Sequence, residues 1–221
     1  GLIQFIFLII ALTREKIYFF FTTKIYSKYI KRFTKLFSVS FFSSGLLQIN
    51  ILIGTIIASY ESSAISYLYY ADRVYQLPLA LIGVAIGMAL LPSISSKIKS
   101  GSYETIHESI EQTLLYSLLF AVPASVGIYS LSDEIISVLF ERGEFDDKSS
   151  LFTAKALKFY ALGLIAFILM KIYTPIFFAY ENAKPTLYIT AINLAINTVL
   201  SVGLFINIGF IGIPIATSTS A

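Results

Sequence analysis

The sequence predicts an all-α fold, a polytopic bundle of transmembrane helices. Three observations carry that expectation. The chain of 221 residues is 57% hydrophobic and only 13% charged, with a mean hydropathy of +0.79, whereas a soluble domain carries about 25% charged residues. Charge is absent from four long runs, 36–60, 74–96, 112–132 and 185–221. Each run reaches the roughly 20 apolar residues that a helix needs to cross a hydrocarbon layer about 30 Å thick. The charges that remain gather between the runs, with basic residues concentrated in alternate connections. A soluble enzyme core would have to bury several unusually long apolar helices to match this pattern.

Taken in order, residues 1–12 are apolar and lead into Arg14, Lys16, Lys24, Lys28, Lys31, Arg32 and Lys35, opposed by Glu15 alone. They read as the end of one membrane helix followed by a basic cytoplasmic linker, so that 1–35 forms one region and 36–221 the bundle. The mixture of Tyr, Phe and Lys over 17–30 would also suit a helix lying on anionic lipid. Within the bundle, spans are expected over about 36–60, 64–96, 112–130, 155–180 and 186–206. A further helix opens near 210 and is expected to be truncated at 221. Glu61-Ser-Ser, Lys97 to Gly101, Glu181-Asn-Ala-Lys-Pro185 and Asn207-Ile-Gly supply turns. Residues 102–111 form an amphipathic lead-in, and 131–150, with Asp133, Glu134, Glu141, Glu144, Asp146 and Asp147, form a larger acidic connection. Residues 1–12 show neither the basic start nor the cleavage site of a signal peptide, and both ends are expected to be internal to a longer polypeptide.

Loops of a multi-span protein alternate sides, and Lys and Arg accumulate on the cytoplasmic side. One set of loops holds the basic residues of 14–35, Lys97, Lys99 and Lys184; the other holds Arg142 and Lys148, joined by Lys155 and Lys158 at a helix start. The linker is therefore expected in the cytoplasm and the acidic connection outside. Topology accounts for the net charge of +3 without any nucleic-acid partner. With no cysteine and one histidine, a disulfide framework, thiolate chemistry and a multi-histidine metal site are excluded. His107 sits in a charged stretch that reads as a solvated helix end. No Ser-His-Asp set, acidic metal cluster or phosphate-cradling glycine loop is present, so the sequence does not predict an enzyme.

Ionisable groups inside spans cost about 2.5–3.5 kcal/mol each on insertion scales and mark functional sites by default. Asp72-Arg73 and Lys171 are such groups. Snorkelling to the membrane surface is the competing reading: outward for the Asp72-Arg73 pair, which lies near the outer rim of the hydrocarbon layer, and to the cytoplasmic face for Lys171. Pro78 follows Arg73 closely and is expected to kink or break its helix, as in helices that line transport cavities. Pro175 deprives the Lys171 carbonyl of its usual helical donor. Gly83 and Gly87 form a Gly-x-x-x-Gly spacing that permits close helix packing. Asn193 and Asn197 share a face of the next span, and Gln48 and Asn50 lie in an earlier one; interhelical amides of this kind ordinarily act as modest glue.

Tyr69-Tyr-Ala-Asp-Arg-Val-Tyr-Gln-Leu-Pro78, Gly83-Val-Ala-Ile-Gly87 and Leu90-Leu-Pro-Ser-Ile-Ser95 resemble the MurJ (MviN) family of lipid II flippases. That family lies within the multidrug/oligosaccharidyl-lipid/polysaccharide exporter superfamily. The resemblance continues through Leu139-Phe-Glu-Arg-Gly-Glu-Phe145, Tyr160-Ala-Leu-Gly-Leu164, Phe178-Ala-Tyr-Glu-Asn-Ala-Lys-Pro185 and Ala191-Ile-Asn-Leu. It implies a fourteen-helix, two-lobed (MATE-like) flippase of the bacterial inner membrane, of which this chain supplies the end of helix six through the start of helix twelve: the linker and most of the second lobe. It implies as substrate lipid II, the undecaprenyl-diphosphate disaccharide-pentapeptide, moved to the periplasmic side by alternating access. A flippase for another polyprenyl-diphosphate-linked glycan and a non-transporting scaffold for cell-wall enzymes are the competing expectations. Arg73 would contact the lipid diphosphate, Asp72 would tune it, and Lys171 is a further candidate for the anionic head group. No organic cofactor is implied; Na+ or the membrane potential would drive transport. The resemblance places a family sodium site at Asn193, Asn197 and Thr217, but its carboxylate position is Gly54, so the site is expected to be missing or weak.

Overall fold

The computed structural model describes residues 2–14 and 27–221. The surface helix expected over 17–30 falls largely on residues outside that set. Contacts divide the chain into two compact units, Gly1–Lys35 and Leu36–Ala221. The first holds α1 (Leu2–Arg14), whose Ile3, Phe5 and Phe7 are exposed, and the opening turns of α2 (Lys28–Ala58).

The second unit holds the rest of α2, then α3 (Ala64–Pro78), a π-helical segment (Leu79–Val84) and α4 (Ala85–Ser100). It continues with α5 (Tyr103–Ser130), α6 (Ser132–Phe140), α7 (Asp147–Ala179), α8 (Lys184–Ile208), a 3-10 turn (Gly209–Ile211) and α9 (Gly212–Ser220). Among the described residues, five helical stretches are long and apolar enough to cross a membrane: Phe33–Ala58, Ala64–Ser100, Glu104–Ser130, Asp147–Ala179 and Lys184–Ser220. The last is not one rod. Asn193 reaches the backbone of Ser220 and Thr217 reaches Asn197, contacts that a straight helix would hold tens of ångströms apart. Gly209 (φ +68°) makes the reversal, and Gly212 sits against the backbone of Leu204 and Phe205.

The organising helix is α7, against which α3, α4, α5, α6 and α9 all pack. Leu157, Ala161, Leu164, Ile168 and Ile172 lie on its buried stripe at helical spacing. Lipid tails are as apolar as Leu, so close contact and interhelical hydrogen bonds hold such a bundle rather than escape from water. Ser125 of α5 donates to the Ala161 carbonyl at 2.6 Å, and Ser218 of α9 donates to the Phe159 carbonyl at 2.7 Å. Gly163 admits this crossing, because a Cβ there would lie 2.6 Å from the Ser218 hydroxyl. Phe41, Ile51, Leu119 and Val199 face outward and exposed, a surface suited to lipid or a further helix layer.

Two expectations are corrected. The 131–150 connection is not a plain loop, since α6 forms inside it. Asp133 and Glu134 occupy its first turn, where acidic groups complement the helix dipole, Ile136 is fully buried, and Lys158 of α7 pairs with Asp133 at 2.5 Å. The Arg-Gly-Glu-Phe motif then builds the turn into α7. Arg142 donates to the Leu139 carbonyl at 2.6 Å, Gly143 takes φ 62°, and the Phe145 ring packs 5.2 Å from that of Tyr70. Asp146 closes the turn by capping α7, accepting the Ser149 N–H at 2.9 Å. The second correction concerns Pro78: of the kink or break expected there, the break does not occur. The chain widens into the π-helical segment, where Ala85 donates to the Ala80 carbonyl five residues back, and continues to Ser100. The Leu79 N–H bonds the Tyr75 and Gln76 carbonyls, so helical bonding resumes directly after the proline.

Candidate functional site

Helix α3 buries Ala64, Tyr67, Leu68, Ala71 and Tyr75. The Tyr75 ring stacks on Tyr160 of α7 at 5.0 Å and lies 5.6 Å from Phe167. This contact fixes the rotation of α3, and Arg73, two residues before Tyr75, is turned to the exposed side. Its guanidinium carbon lies 4.6 Å from the centroid of the Tyr69 ring, one turn earlier, a cation–π seat that leaves the N–H donors facing outward. Asp72 is half-buried and accepts a short hydrogen bond from the Gln76 side chain. Among the described residues the adjacent acid and base form no ion pair. Arg73 is held by the Tyr69 ring four residues before it, and Asp72 by Gln76 four residues after it and by the Tyr75 hydroxyl three after it. Tyr69 and Gln76 are thus members of the site that sequence reading missed, although their i,i+4 spacing was a visible signal.

Lys171 is also exposed, and its backbone is the notable feature. A Cβ on Gly87 would lie 2.6 Å from the Lys171 carbonyl oxygen, and one on Gly83 would lie 3.2 Å from the Lys171 Cβ. The carbonyl that Pro175 deprives of a donor therefore rests against Gly87, where only a Cα–H can approach so closely. Arg73 lies ten residues before Gly83, about 15 Å along the helix. Arg73 and Lys171 belong to neighbouring helices at different levels and do not converge on one point.

A second cluster joins α2, α8 and α9. Asn197 (5% exposed) donates to the Asn50 side-chain oxygen at 2.7 Å and accepts from Ser201 at 3.3 Å. The Thr217 hydroxyl lies 3.5 Å from the same Asn197 oxygen, but its hydrogen goes to the Ile213 carbonyl at 2.8 Å. Asn193, one turn below, donates to the Ser220 carbonyl at 2.6 Å instead of joining Asn197. Gly54, one turn above Asn50, faces Ile213 with space for a Cβ 3.8 Å from its nearest atom. Asn50 is the member that sequence reading left as ordinary glue.

Charged and amide groups set into an apolar helix bundle, with proline and π-helical irregularities beside them, define a multi-pass membrane protein with polar sites among its spans. A solved outward-facing MATE-family multidrug transporter of the MOP superfamily shares the fold, with a TM-score of 0.76 over 86% of this chain and 42% of that one, at 13% identity. The chain belongs to the lipid II flippase MurJ family, whose sequence model matches residues 1–221. A probable lipid II flippase MurJ of Rickettsia prowazekii is 36% identical over 100% of this chain and 44% of its own length, and one of Rhizobium tropici is 39% identical over 86% and 36%. A lipid II flippase MurJ solved in an inward closed conformation matches with a TM-score of 0.76 and 31% identity, over 92% of this chain and 42% of that chain. The chain thus spans less than half the length of these relatives. It is a multi-pass protein of the bacterial inner membrane, in a family of transporters.

Proposed function

We propose that this bundle serves as one lobe of a flippase that carries lipid II, the lipid-linked peptidoglycan precursor, from the cytoplasmic to the periplasmic side by alternating access. Arg73 is the proposed contact for the diphosphate, Asp72 steadies the face beside it through Gln76, and Lys171 offers a second cation at another level. The observation that carries this reading is the seating of Arg73. Its guanidinium lies over Tyr69 on an exposed face of a membrane-spanning helix, with no carboxylate at ion-pair distance among the described residues. A fixed, permanently charged fork with unspent donors suits a diphosphate in a low-dielectric setting. The names of the relatives favour lipid II over another polyprenyl-linked glycan.

The test is lipid II translocation by the full polypeptide in proteoliposomes, with accumulation of the precursor in cells as a second readout. Removing one partner of a desolvated charge pair costs about 2–5 kcal/mol, so Arg73→Ala is expected to lower translocation more than about tenfold at normal protein level. Arg73→Lys, which keeps the charge and loses the fork, should fall between. Unchanged translocation by Arg73→Ala would refute the assignment of Arg73, and absence of translocation by the parent polypeptide would favour a scaffold.

A further inference from the structure

We propose that the Asn50–Asn197–Ser201–Thr217 cluster is a cation-free clasp: a neutral hydrogen-bond network fastens α2, α8 and α9 where the family resemblance places a sodium ion. A hard cation is held by converging oxygen lone pairs, commonly with carboxylates among them. These residues do not fit one. The most buried amide, Asn197, directs a donor N–H at Asn50, and its own oxygen is turned to the Ser201 and Thr217 hydroxyls. Asn193 points its N–H at a backbone carbonyl of α9. The carboxylate position is Gly54, and among the described residues no group of three or more acidic, histidine or cysteine side chains could hold a metal. An ion here would be a buried charge with no counter-charge, which costs far more than neutral amides that satisfy one another. The clasp supplies the same three-helix connection with no ion to load or release.

The inference stands apart from the lipid substrate, and its test reads stability instead of transport. The full polypeptide in detergent is melted by far-ultraviolet circular dichroism in sodium, potassium and choline chloride at equal ionic strength. One Tm in all three salts is expected. Asn50→Leu, which leaves the Asn197 N–H without its acceptor, should lower Tm by several degrees and equally in each salt. Ser201→Ala is the milder variant should Asn50→Leu fail to accumulate, and a smaller drop, again independent of salt, is expected. A sodium-specific rise in Tm of the parent protein that Asn197→Ala abolishes would overturn the proposal. So would an unchanged Tm on loss of both Asn50 and Ser201 side chains.

Discussion

At the residue scale, backbone proximity decides more than charge. Gly87 faces a carbonyl that Pro175 has stripped of its helical donor, at a separation where any Cβ would collide. Gly87→Ala must push α4 off α7, at about 1–3 kcal/mol for the overpacking. A fall in Tm is expected, with Gly45→Ala, which meets nothing within 4 Å and gains helix propensity, as the control that does not lower it. Asp146 makes a pH-dependent contribution outside the membrane. The Ser149 side chain and N–H hold its carboxyl below its ordinary 3.8, and the Ser137 and Ser150 hydroxyls do the same for Glu141. A depressed folded-state value means the cap stabilises above the unfolded value and is lost as pH falls through the folded one. Asp146→Asn, which still accepts the Ser149 N–H, should therefore flatten the acid limb of the Tm–pH curve and leave Tm near neutrality almost unchanged.

At the element scale, spans were legible, and so were the disturbance at Pro78 and the turn at Asn207-Ile-Gly; the form each takes was not. Uncharged runs locate helices because lipid penalises charge, and that rule is local to sequence. The π-helical segment depends on how α3 and α4 both stay packed on α7 across Pro78, which no window of sequence encodes. Helix α6 was hidden by its nine-residue length and acidic start, which also describe a solvated loop. Arg73 and Asp72 stood out as charges in a span, whereas Asn50 became a site member only through a partner 147 residues away. Turns show the same non-local dependence. Glu61, between α2 and α3, accepts the Phe210 N–H at 2.8 Å and so ties that turn to the start of the α8–α9 reversal. Glu61→Ala leaves this N–H without its acceptor, a loss of about 1–2 kcal/mol. Denaturation of the full polypeptide should show it, and Glu61→Gln should recover part.

At the scale of the whole molecule, the clasp and the charge pattern together bear on the driving force. If no sodium enters between α2, α8 and α9, the remaining proposed source of directional energy is the membrane potential. Its sign suits the proposed substrate: the basic loops orient the chain with that side in the cytoplasm, and a membrane potential negative inside draws an anion outward. Each elementary charge crossing the field gains about 2.3 kcal/mol per 100 mV, so a diphosphate with two charges gains roughly 4–5 kcal/mol per 100 mV. Arg73 works against this if it travels the same path with its charge, because an anion neutralised by a moving arginine feels less of the field. A rigid α3 avoids that loss. The Tyr75 stack on α7 and the Gly87 contact hold the helix, so Arg73 can stay nearly fixed while the diphosphate passes it. Translocation in proteoliposomes should therefore rise steeply with an imposed potential, positive outside, and be indifferent to replacing sodium with potassium on either side. Acceleration by a sodium gradient at zero potential would refute both the neutral clasp and the driving force argued from it.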